Sequence, residues 1–325
     1  MNILVTGGAG YVGSVVAQEL VKRHHTVVVL DNLSQGHREA IISEANFVQA
    51  DLRDTQALDN IFRQYKIEAV MHMAAETVVL HSTSDPQRFF QNNVVGSINL
   101  LDGMLNNHVN IIIFSSSAAV YGEHNDSPLE EEACKVPMNA YGDSKLIFEG
   151  ILSRYGEAYG LKYICLRYFN AAGATERLGE DHRPETHLIP TVLKAAMTGS
   201  PVTIFGADYA TSDGTCVRDF VHVEDIGRAH LLALEKAVEF SGRAFNLGNQ
   251  RGYSVLEVVN KAEEITRVNI QLKLSNRRPG DPAVLVASSA RARQDLGWEP
   301  KLSGLGTILS SAWDWIQKHS NGYDS

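Results

Sequence analysis

The sequence predicts an α/β protein, a doubly wound parallel sheet followed by a smaller mixed α/β lobe. Three observations carry this. Short β-branched runs alternate with helical periodicities up to about residue 170. A glycine-rich turn, Gly7-Gly8-Ala9-Gly10-Tyr11-Val12-Gly13, joins the first run to the first helix. Past residue 170 the alternation becomes less regular.

The first run, Asn2-Ile3-Leu4-Val5-Thr6, has strand character, and Val12, Val15, Val16 and Leu20 then recur at helical spacing. Further strands are expected near 26–30, 46–49, 69–73, 110–115 and 163–168, with helices between them. Gly7, Gly10 and Gly13 follow a GxxGxxG spacing. A turn this tight needs residues without Cβ, and the following helix offers unpaired N–H groups and the positive end of its dipole to a pyrophosphate. A glycine loop with no ligand would carry the same letters. The run Thr26-Val27-Val28-Val29-Leu30 ends in Asp31, whose carboxylate can accept from a ribose diol and would repel a 2′-phosphate. Asn32, Leu33 and Ser34 bring no Arg, so the expected dinucleotide is NAD rather than NADP and the fold is of Rossmann type.

A helix is predicted over 141–159, and Tyr141 and Lys145 lie four residues apart on one face of it. A free phenol, with a pKa near ~10, is a poor base at neutral pH. An ammonium and a positive nicotinamide ring beside it should lower that pKa. Ser115-Ser116-Ser117 ends the buried strand Asn110-Ile111-Ile112-Ile113-Phe114, and ligands of open α/β sheets bind at carboxyl ends of strands. A hydroxyl there can hold a substrate oxygen, or simply cap the helix that follows. Together these groups point to redox chemistry at a carbon bearing a hydroxyl.

In the remainder, helices are expected near 188–199, 224–239, 255–267 and 304–318, and strands near 202–205, 244–247 and 270–274. The charged stretch 176–187 reads as an exposed loop. The expected division is a dinucleotide-binding domain over 1–170 and a substrate domain over 171–325. The 325 residues carry a net charge of −9 and no basic stripe, which argues against nucleic acid and anionic membrane as partners. Apolar runs are too short for a membrane span. The chain opens directly on a strand, so no signal peptide is expected. Three widely spaced cysteines, Cys134, Cys165 and Cys216, fit a reducing cytoplasm. The twelve histidines show no HxxxH or paired Cys/His spacing, so no metal site is expected.

Over essentially its whole length the chain resembles the UDP-glucose 4-epimerase family of the extended short-chain dehydrogenase/reductase superfamily. The residues carrying the resemblance are Thr6 to Ser14, Asp31-Asn32-Leu33, Asp51-Leu52-Arg53-Asp54, His72-Met73-Ala74-Ala75, Asn92-Asn93-Val94, Phe114 to Gly122, Tyr141-Gly142-Asp143-Ser144-Lys145, Arg167-Tyr168-Phe169-Asn170, Gly214 to Val223, and Arg278-Pro279-Gly280-Asp281. The resemblance implies Tyr141, Lys145 and Ser117 as the catalytic residues. It implies NAD contacts from Gly7, Gly10, Tyr11, Val12, Gly13, Asp31, Asn32, Asp51, Leu52, Met73, Ala74, Ala75, Asn92, Ser115 and Tyr168. Thr77 stands where many such epimerases carry a cofactor-touching Lys. For the UDP-sugar it implies Arg218 and Arg278 on the pyrophosphate, since a guanidinium forks onto phosphate oxygens. Asp281 falls on the ribose position, Asn170 on the pyrophosphate or sugar, and Leu188, Thr203 and Phe205 at the uracil, although Phe205 could equally be core. His187 stands where many have Asn. Leu285 falls at the residue that gates the sugar pocket, or is a core leucine.

The implied reaction is interconversion of UDP-glucose and UDP-galactose by transient oxidation at C4, with NAD retained. Acceptance of UDP-GlcNAc and UDP-GalNAc stays open, because Leu285 is intermediate in size. A homodimer is expected. Alternatives are an epimerase of UDP-pentose or UDP-uronate, a 4,6-dehydratase, and an inactive NAD-sensing binding protein. Dehydratases of this superfamily place Asp and Glu directly after the strand-end hydroxyl, where Ala118 and Ala119 stand here.

Overall fold

The structure, a computed structural model, describes residues 1–78, 82, 84–124, 127–278 and 281–323. Pro279 and Gly280 of the Arg278–Asp281 motif lie outside the described residues. In chain order the elements are β1 (Asn2–Thr6), α1 (Tyr11–Lys22), β2 (Thr26–Asp31), β3 (Asn46–Gln49), α2 (Thr55–Tyr65), β4 (Ala69–His72) and α3 (Pro86–Phe90). A π-helical turn (Gln91–Val95) leads into α4 (Gly96–Asn106), β5 (Ile111–Ser117), α5 (Ala140–Tyr159), β6 (Lys162–Tyr168) and β7 (Asn170–Ala172). Then come α6 (Leu188–Thr198), β8 (Val202–Phe205), β9 (Val217–His222), α7 (Val223–Glu235), β10 (Arg243–Leu247), β11 (Gly252–Ser254) and α8 (Val255–Thr266). The chain closes with β12 (Leu272–Ser275), β13 (Val284–Leu285) and α9 (Leu305–Lys318).

Seven parallel strands form the main sheet in the order β10-β6-β5-β4-β1-β2-β3. Both faces are covered, which is why its strands read as continuous apolar runs rather than alternating ones. Odd and even residues still separate. Ile3, Val5, Val27, Val29 and Ile113 pack with Val15, Val16 and Leu20 of α1 and Ile226 and Ala229 of α7. Leu4, Val28, Leu30, Ile112 and Phe114 pack on the other face with Leu58 and Phe62 of α2, Leu100 of α4 and Phe148 and Leu152 of α5. The strand order reverses between β1 and β4. That switch point opens a crevice at the carboxyl ends of β1, β2, β4 and β5.

The C-terminal half adds a sheet in which β9 pairs with β11, β13 and β7, and a two-stranded sheet of β8 and β12. The sequence reading differs from the structure here in several places. The strand expected at 244–247 is β10, and it extends the main sheet by pairing with β6. β7, β9, β11 and β13 have no counterpart in the reading. Arg218 and Asp219 interrupt the apolar signature of β9, and strands of two or three residues exist only through pairing. The strand expected at 270–274 forms at Leu272–Ser275, and the helix expected to reach 239 ends at Glu235. The stretch 176–187 is irregular as expected, but Leu178, Glu180 and Asp181 are buried rather than exposed. Asp181 accepts from Tyr323 N at 3.1 Å and Tyr323 Oη donates to Gly179 O, so the C-terminal segment covers it.

Asp219 organises the second sheet from β9. It is fully buried, and its carboxylate accepts from Asn249 N (2.7 Å), Gln250 N (3.2 Å) and Ala287 N (3.1 Å). One side chain thus joins β9, the loop after β10 and the segment after β13. Asp219→Ala leaves those three amides without their acceptor, and an unsatisfied buried donor costs ~1–3 kcal/mol. The expected loss is about 3 kcal/mol in urea unfolding, with the midpoint moving and the slope unchanged. A loss under about 1 kcal/mol would show that water replaces the carboxylate.

Candidate active site

The glycine turn sets the first wall. A Cβ on Gly13 would lie 2.0 Å from Gly7 O, so only glycine lets the first turn of α1 sit on the loop. Gly10, at the N-cap of α1, caps it with no side chain, leaving the N-terminal amides for an anion. Asp31 is buried and takes Ala9 N at 3.0 Å and Leu33 N at 2.8 Å, so it ties the turn to the end of β2. Burial pushes its carboxyl upward, and those two amides partly offset the rise. Each oxygen retains a lone pair for a diol. Asp51 accepts from Asn32 Nδ2 at 2.9 Å and is forked by Arg53, whose hydrogen bond holds the carboxyl well below the usual range. Leu52 is buried, while Met73, Ala74 and Ala75, just past β4, are half-buried and Thr77 is exposed. Asn92, on the π turn, donates to Asn93 Oδ1 at 3.1 Å. Val12 packs into the core from α1. Tyr11 reaches across to the second half of the chain, where its hydroxyl donates to Gly173 O at 2.5 Å.

The second wall is α5 against the end of β5. Asn139 caps α5 by accepting from Gly142 N at 3.0 Å. A Cβ on Gly142 would meet Ala119 O at 2.5 Å, so the helix can approach the 118–120 turn only with glycine there. This contact brings Tyr141 into hydrogen-bonding reach of Ser117. Ser117 Oγ also accepts from Ala119 N at 3.1 Å. Lys145 is buried, donates to Ser115 O at 2.8 Å, and lies 4.9 Å from the Phe114 ring and 5.8 Å from the Tyr141 ring. Burial pulls its ammonium down to about 7, with Glu149 pulling the other way.

The protein groups by themselves do not lower the phenol. Burial pushes Tyr141 upward, and the Ser117 hydrogen bond only moderates the rise. A buried Lys145 that itself titrates near neutrality holds less positive charge than the expectation assumed. Lowering the phenol therefore needs a further positive charge, which an oxidised nicotinamide would carry.

Several supporting residues were not singled out from the sequence. Asn93 Nδ2 donates to Ser144 Oγ at 3.0 Å, and Ser144 Oγ donates to Tyr141 O at 2.7 Å. Asn93 Oδ1 accepts from Glu76 N at 2.7 Å, so one amide joins α5 to the segment after β4. His230 of α7 donates from Nδ1 to Ile226 O (2.9 Å) and accepts from Ser115 Oγ at Nε2 (2.9 Å). Burial holds that ring down at about 4, so it is neutral, a donor at Nδ1 and an acceptor at Nε2. Tyr168 hydrogen-bonds Ser115 as well, and burial followed by Tyr141 pushes its hydroxyl up. Arg167 donates to both oxygens of Glu149, to Tyr121 Oη (2.9 Å) and to Glu131 O (3.0 Å). The quoted motifs held most of these residues, but a motif letter does not say which partner a buried polar group finds.

The third wall comes from the second sheet. Arg218 donates to Val217 O at 2.8 Å and pairs with Asp281. Arg278 lies over the Phe205 ring, 4.1 Å from its centroid, so Phe205 is a stacking platform rather than core. Thr203 and Phe205 share the half-buried face of β8, while Val202 and Ile204 fill the core. Asn170 Nδ2 donates to Asp219 O at 2.8 Å. Leu285 sits opposite Arg218 in the β13–β9 register and packs against the cluster of Ala118, Val120, Tyr121 and Phe169. It thus links Ala118, just past β5, to the Arg218 position on β9. Leu188 opens α6 half-buried against the core, and His187 before it turns its Nδ1 to Glu180.

A glycine turn, an acid at the end of β2 and a Tyr–Lys pair beside a strand-end serine line one crevice at the switch point of the sheet. The chain belongs to the NAD dependent epimerase/dehydratase family, whose model matches residues 3–248. It is 47% identical to the UDP-glucose 4-epimerase of Halalkalibacterium halodurans, over 100% of this chain and 98% of that protein. A crystal structure of a UDP-glucose 4-epimerase superposes with a TM-score of 0.97 at 46% identity, covering all of both chains. The Bifidobacterium longum UDP-glucose 4-epimerase, crystallised with NAD+ and UDP, gives 0.94 at 34% identity, covering 99% of this chain and 100% of that one.

Lys145 generates a pH test. Its pKa is near 10.4 when exposed and about 7 in the fold. Between those values the unfolded chain binds more protons than the folded one. Stability therefore rises with pH across that window, and the full cost of a buried ammonium is present below it. The nucleotide-stripped chain should gain about 2 kcal/mol between about pH 7 and about pH 9 relative to Lys145→Met. Urea melts at both pH values measure this. Parallel behaviour of the two proteins would mean that Lys145 keeps its charge on burial.

Proposed function

We propose that the chain interconverts UDP-glucose and UDP-galactose by transient oxidation at sugar C4, with NAD as resident cofactor. The carrying observation is Tyr141 held against Ser117 at the carboxyl end of β5 with Lys145 buried beneath. That constellation is built for removing a proton from a secondary alcohol. The nucleotide turn fits NAD: uncapped α1 amides suit a pyrophosphate, and Asp31 has lone pairs free for a ribose diol but would repel a 2′-phosphate. Gly7, Gly10, Gly13, Asp31, Asn32, Asp51 and Leu52 would hold the adenosine half, with Met73, Ala74, Ala75, Asn92, Ser115, Tyr141, Lys145 and Tyr168 on the nicotinamide side. When bound, NAD supplies a reversible hydride acceptor.

The rest of the reaction falls to the chain. Ser117 orients the 4-hydroxyl, and Tyr141 Oη removes its proton and later returns one. Lys145 supplies positive charge beneath the phenol. Arg218, Arg278 and Asp281 hold the UDP end, with Leu188, Thr203 and Phe205 around the uracil and Asn170 near the pyrophosphate. Ala118 and Ala119 offer the hexose no charged group. Few contacts on the sugar and many on UDP allow the sugar to turn over while the nucleotide stays in place. The same two alanines weigh against a 4,6-dehydratase, which needs an additional acid and base. In this reading residues 1–170 bind NAD and residues 171–325 the UDP-sugar.

A homodimer belongs to the same reading. Val95 (39% exposed), Ile147 (43%) and Tyr159 (62%) are apolar or aromatic side chains left open on the π turn and the α5 helix packed against it. We place the protein in the cytoplasm, which suits its three free thiols.

Purified chain given UDP-galactose and no added NAD should yield UDP-glucose by chromatography. Tyr141→Phe should retain nucleotide and lower turnover by at least ~100-fold, the scale of a lost general acid/base. Near-wild-type turnover would remove Tyr141 from the mechanism.

Leu285 sets the second test. If it faces the sugar C2 substituent, Leu285→Tyr lowers kcat/KM for UDP-GalNAc relative to UDP-galactose, and Leu285→Ala raises that ratio. Overpacking costs ~1–3 kcal/mol, or roughly 5- to 150-fold. An unchanged ratio with a lower melting temperature for Leu285→Ala would identify a core leucine.

A further inference from the structure

Outside the reaction chemistry, the fold gathers Glu180, His182, Glu185 and His187, one candidate ligand atom from each lying within 4.8 Å of the others. Their E-x-H-x-x-E-x-H spacing is neither HxxxH nor a paired Cys/His pattern. The segment lacks regular secondary structure, and only its folding onto the protein brings the four together. His182 Nδ1 lies 3.1 Å from Glu180 Oε1 and 3.8 Å from Glu185 Oε2. His187 Nδ1 contacts Glu180 Oε1 and lies 3.7 Å from Glu185 Oε1.

Two features separate this cluster from a solvated charge patch. Both carboxylates are inside, with side chains 6% and 8% exposed. Glu185 Oε2 is buried and accepts no hydrogen bond. A buried carboxylate oxygen left orphaned beside a second carboxylate is costly unless a cation serves both. Within the cluster His187 can pair with both carboxylates as an imidazolium, whose proton a metal ion would displace, while cations of neighbouring segments turn to other groups. Arg183 turns to Asp181 (3.1 Å) and Asn321 O (3.2 Å), and His37 donates toward Asp181 O.

We propose that Glu180, His182, Glu185 and His187 bind one divalent transition-metal ion of the zinc class. Two imidazole nitrogens and two carboxylate oxygens suit Zn²⁺, whereas Mg²⁺ and Ca²⁺ prefer oxygen alone and more ligands. Ligands ~2.0–2.2 Å from a tetrahedral ion stand roughly 3.3–3.6 Å apart. The separations of 3.1, 3.7 and 3.8 Å lie close to that edge, and the shorter His187 Nδ1–Glu180 Oε1 contact has to open when an ion enters. The 55% exposed His187 side chain gives the ion an entrance.

The ion's place in the fold makes it a fastener. Tyr11 of the glycine turn meets His182 edge-on at 6.4 Å between ring centroids, and its hydroxyl holds Gly173 O at the root of the same loop. Asp181, between two ligands, accepts from the C-terminal Tyr323 N. His187 directly precedes Leu188, the first residue of α6. Metal binding would lock together the nucleotide turn, the C-terminal segment and the start of a helix in the substrate half. Engagement of His187 as a ligand also explains why a histidine replaces the asparagine usual at a substrate-contact position.

The test uses the untagged full chain with its nucleotide. It is stripped with chelator, equilibrated with Zn²⁺ and gel-filtered, and its metal content is measured. The expected result is one zinc per chain, a higher melting temperature with zinc, and four-coordinate visible bands when Co²⁺ replaces it. Glu180→Gln and Glu185→Gln should each lower zinc affinity by at least ~100-fold and lose the thermal shift while keeping the nucleotide. Should either variant not fold, the Co²⁺ spectrum of the unaltered chain decides alone. Less than about 0.2 equivalents of zinc on the unaltered chain, equal retention by the folded variants, or a Co²⁺ spectrum of six-coordinate type would overturn the proposal. None of these readouts depends on epimerase activity.

Discussion

The candidate site depends on one buried ammonium. Lys145 lies in the core between α5 and the end of β5, and its hydrogen bond to Ser115 O fixes the rotation of the helix about its axis. A backbone carbonyl, the Phe114 face and the nearby Glu149 offset part of the cost of a charge there, and burial still pulls the ammonium down to about 7. Because Tyr141 is one helical turn earlier, fixing Lys145 also fixes the phenol. Gly142 then allows an approach to the 118–119 turn that a Cβ, 2.5 Å from Ala119 O, would block. The chemistry is thus a consequence of helix packing.

A second polar framework keeps the two halves of the chain in register. Glu149, one turn beyond Lys145, accepts from Ser116 Oγ and forks with Arg167. Arg167 reaches Tyr121, whose hydroxyl donates to Asn246 on β10. Asn246 in turn donates from its side chain to Leu129 O and from its backbone N–H to Glu131 Oε1. Every member is buried or nearly so, and a network of this kind specifies geometry because each lost bond leaves an unsatisfied partner. Leu285 and Phe169 pack on this framework, so the wall proposed for the sugar pocket rests on the same support as α5.

Much of this was readable from residue order. Six strands of the main sheet follow from β-branched runs spaced for βαβ units, and strand boundaries differ by one or two residues at most where the sequence predicts a strand. Gly7, Gly10, Gly13, Asp31, Tyr141 and Lys145 could be named because their chemistry is local: a turn, a strand end, one helical face. Arg218, Arg278 and Asp281 were named through resemblance, since nothing in a lone arginine announces a phosphate. The second sheet was largely missed, because strands such as Val284–Leu285 have no pattern of their own and are stabilised by partners far along the chain.

The sequence by itself determined the parallel sheet, the dinucleotide turn, the preference for a free ribose diol and the Tyr–Lys face, since each is written in residues close together along the chain. Tertiary structure alone decided the rest. Burial, which composition does not report, sends the Tyr141 phenol up and the Lys145 ammonium down. It also places β10 at the sheet edge, stacks Arg278 on Phe205 and folds an apparently exposed acidic stretch inward until two carboxylates and two imidazoles share one small volume. The physical reason is common to all of these. Their energies come from desolvation and from pairings across long sequence separations, and both depend on which surfaces the completed fold removes from water.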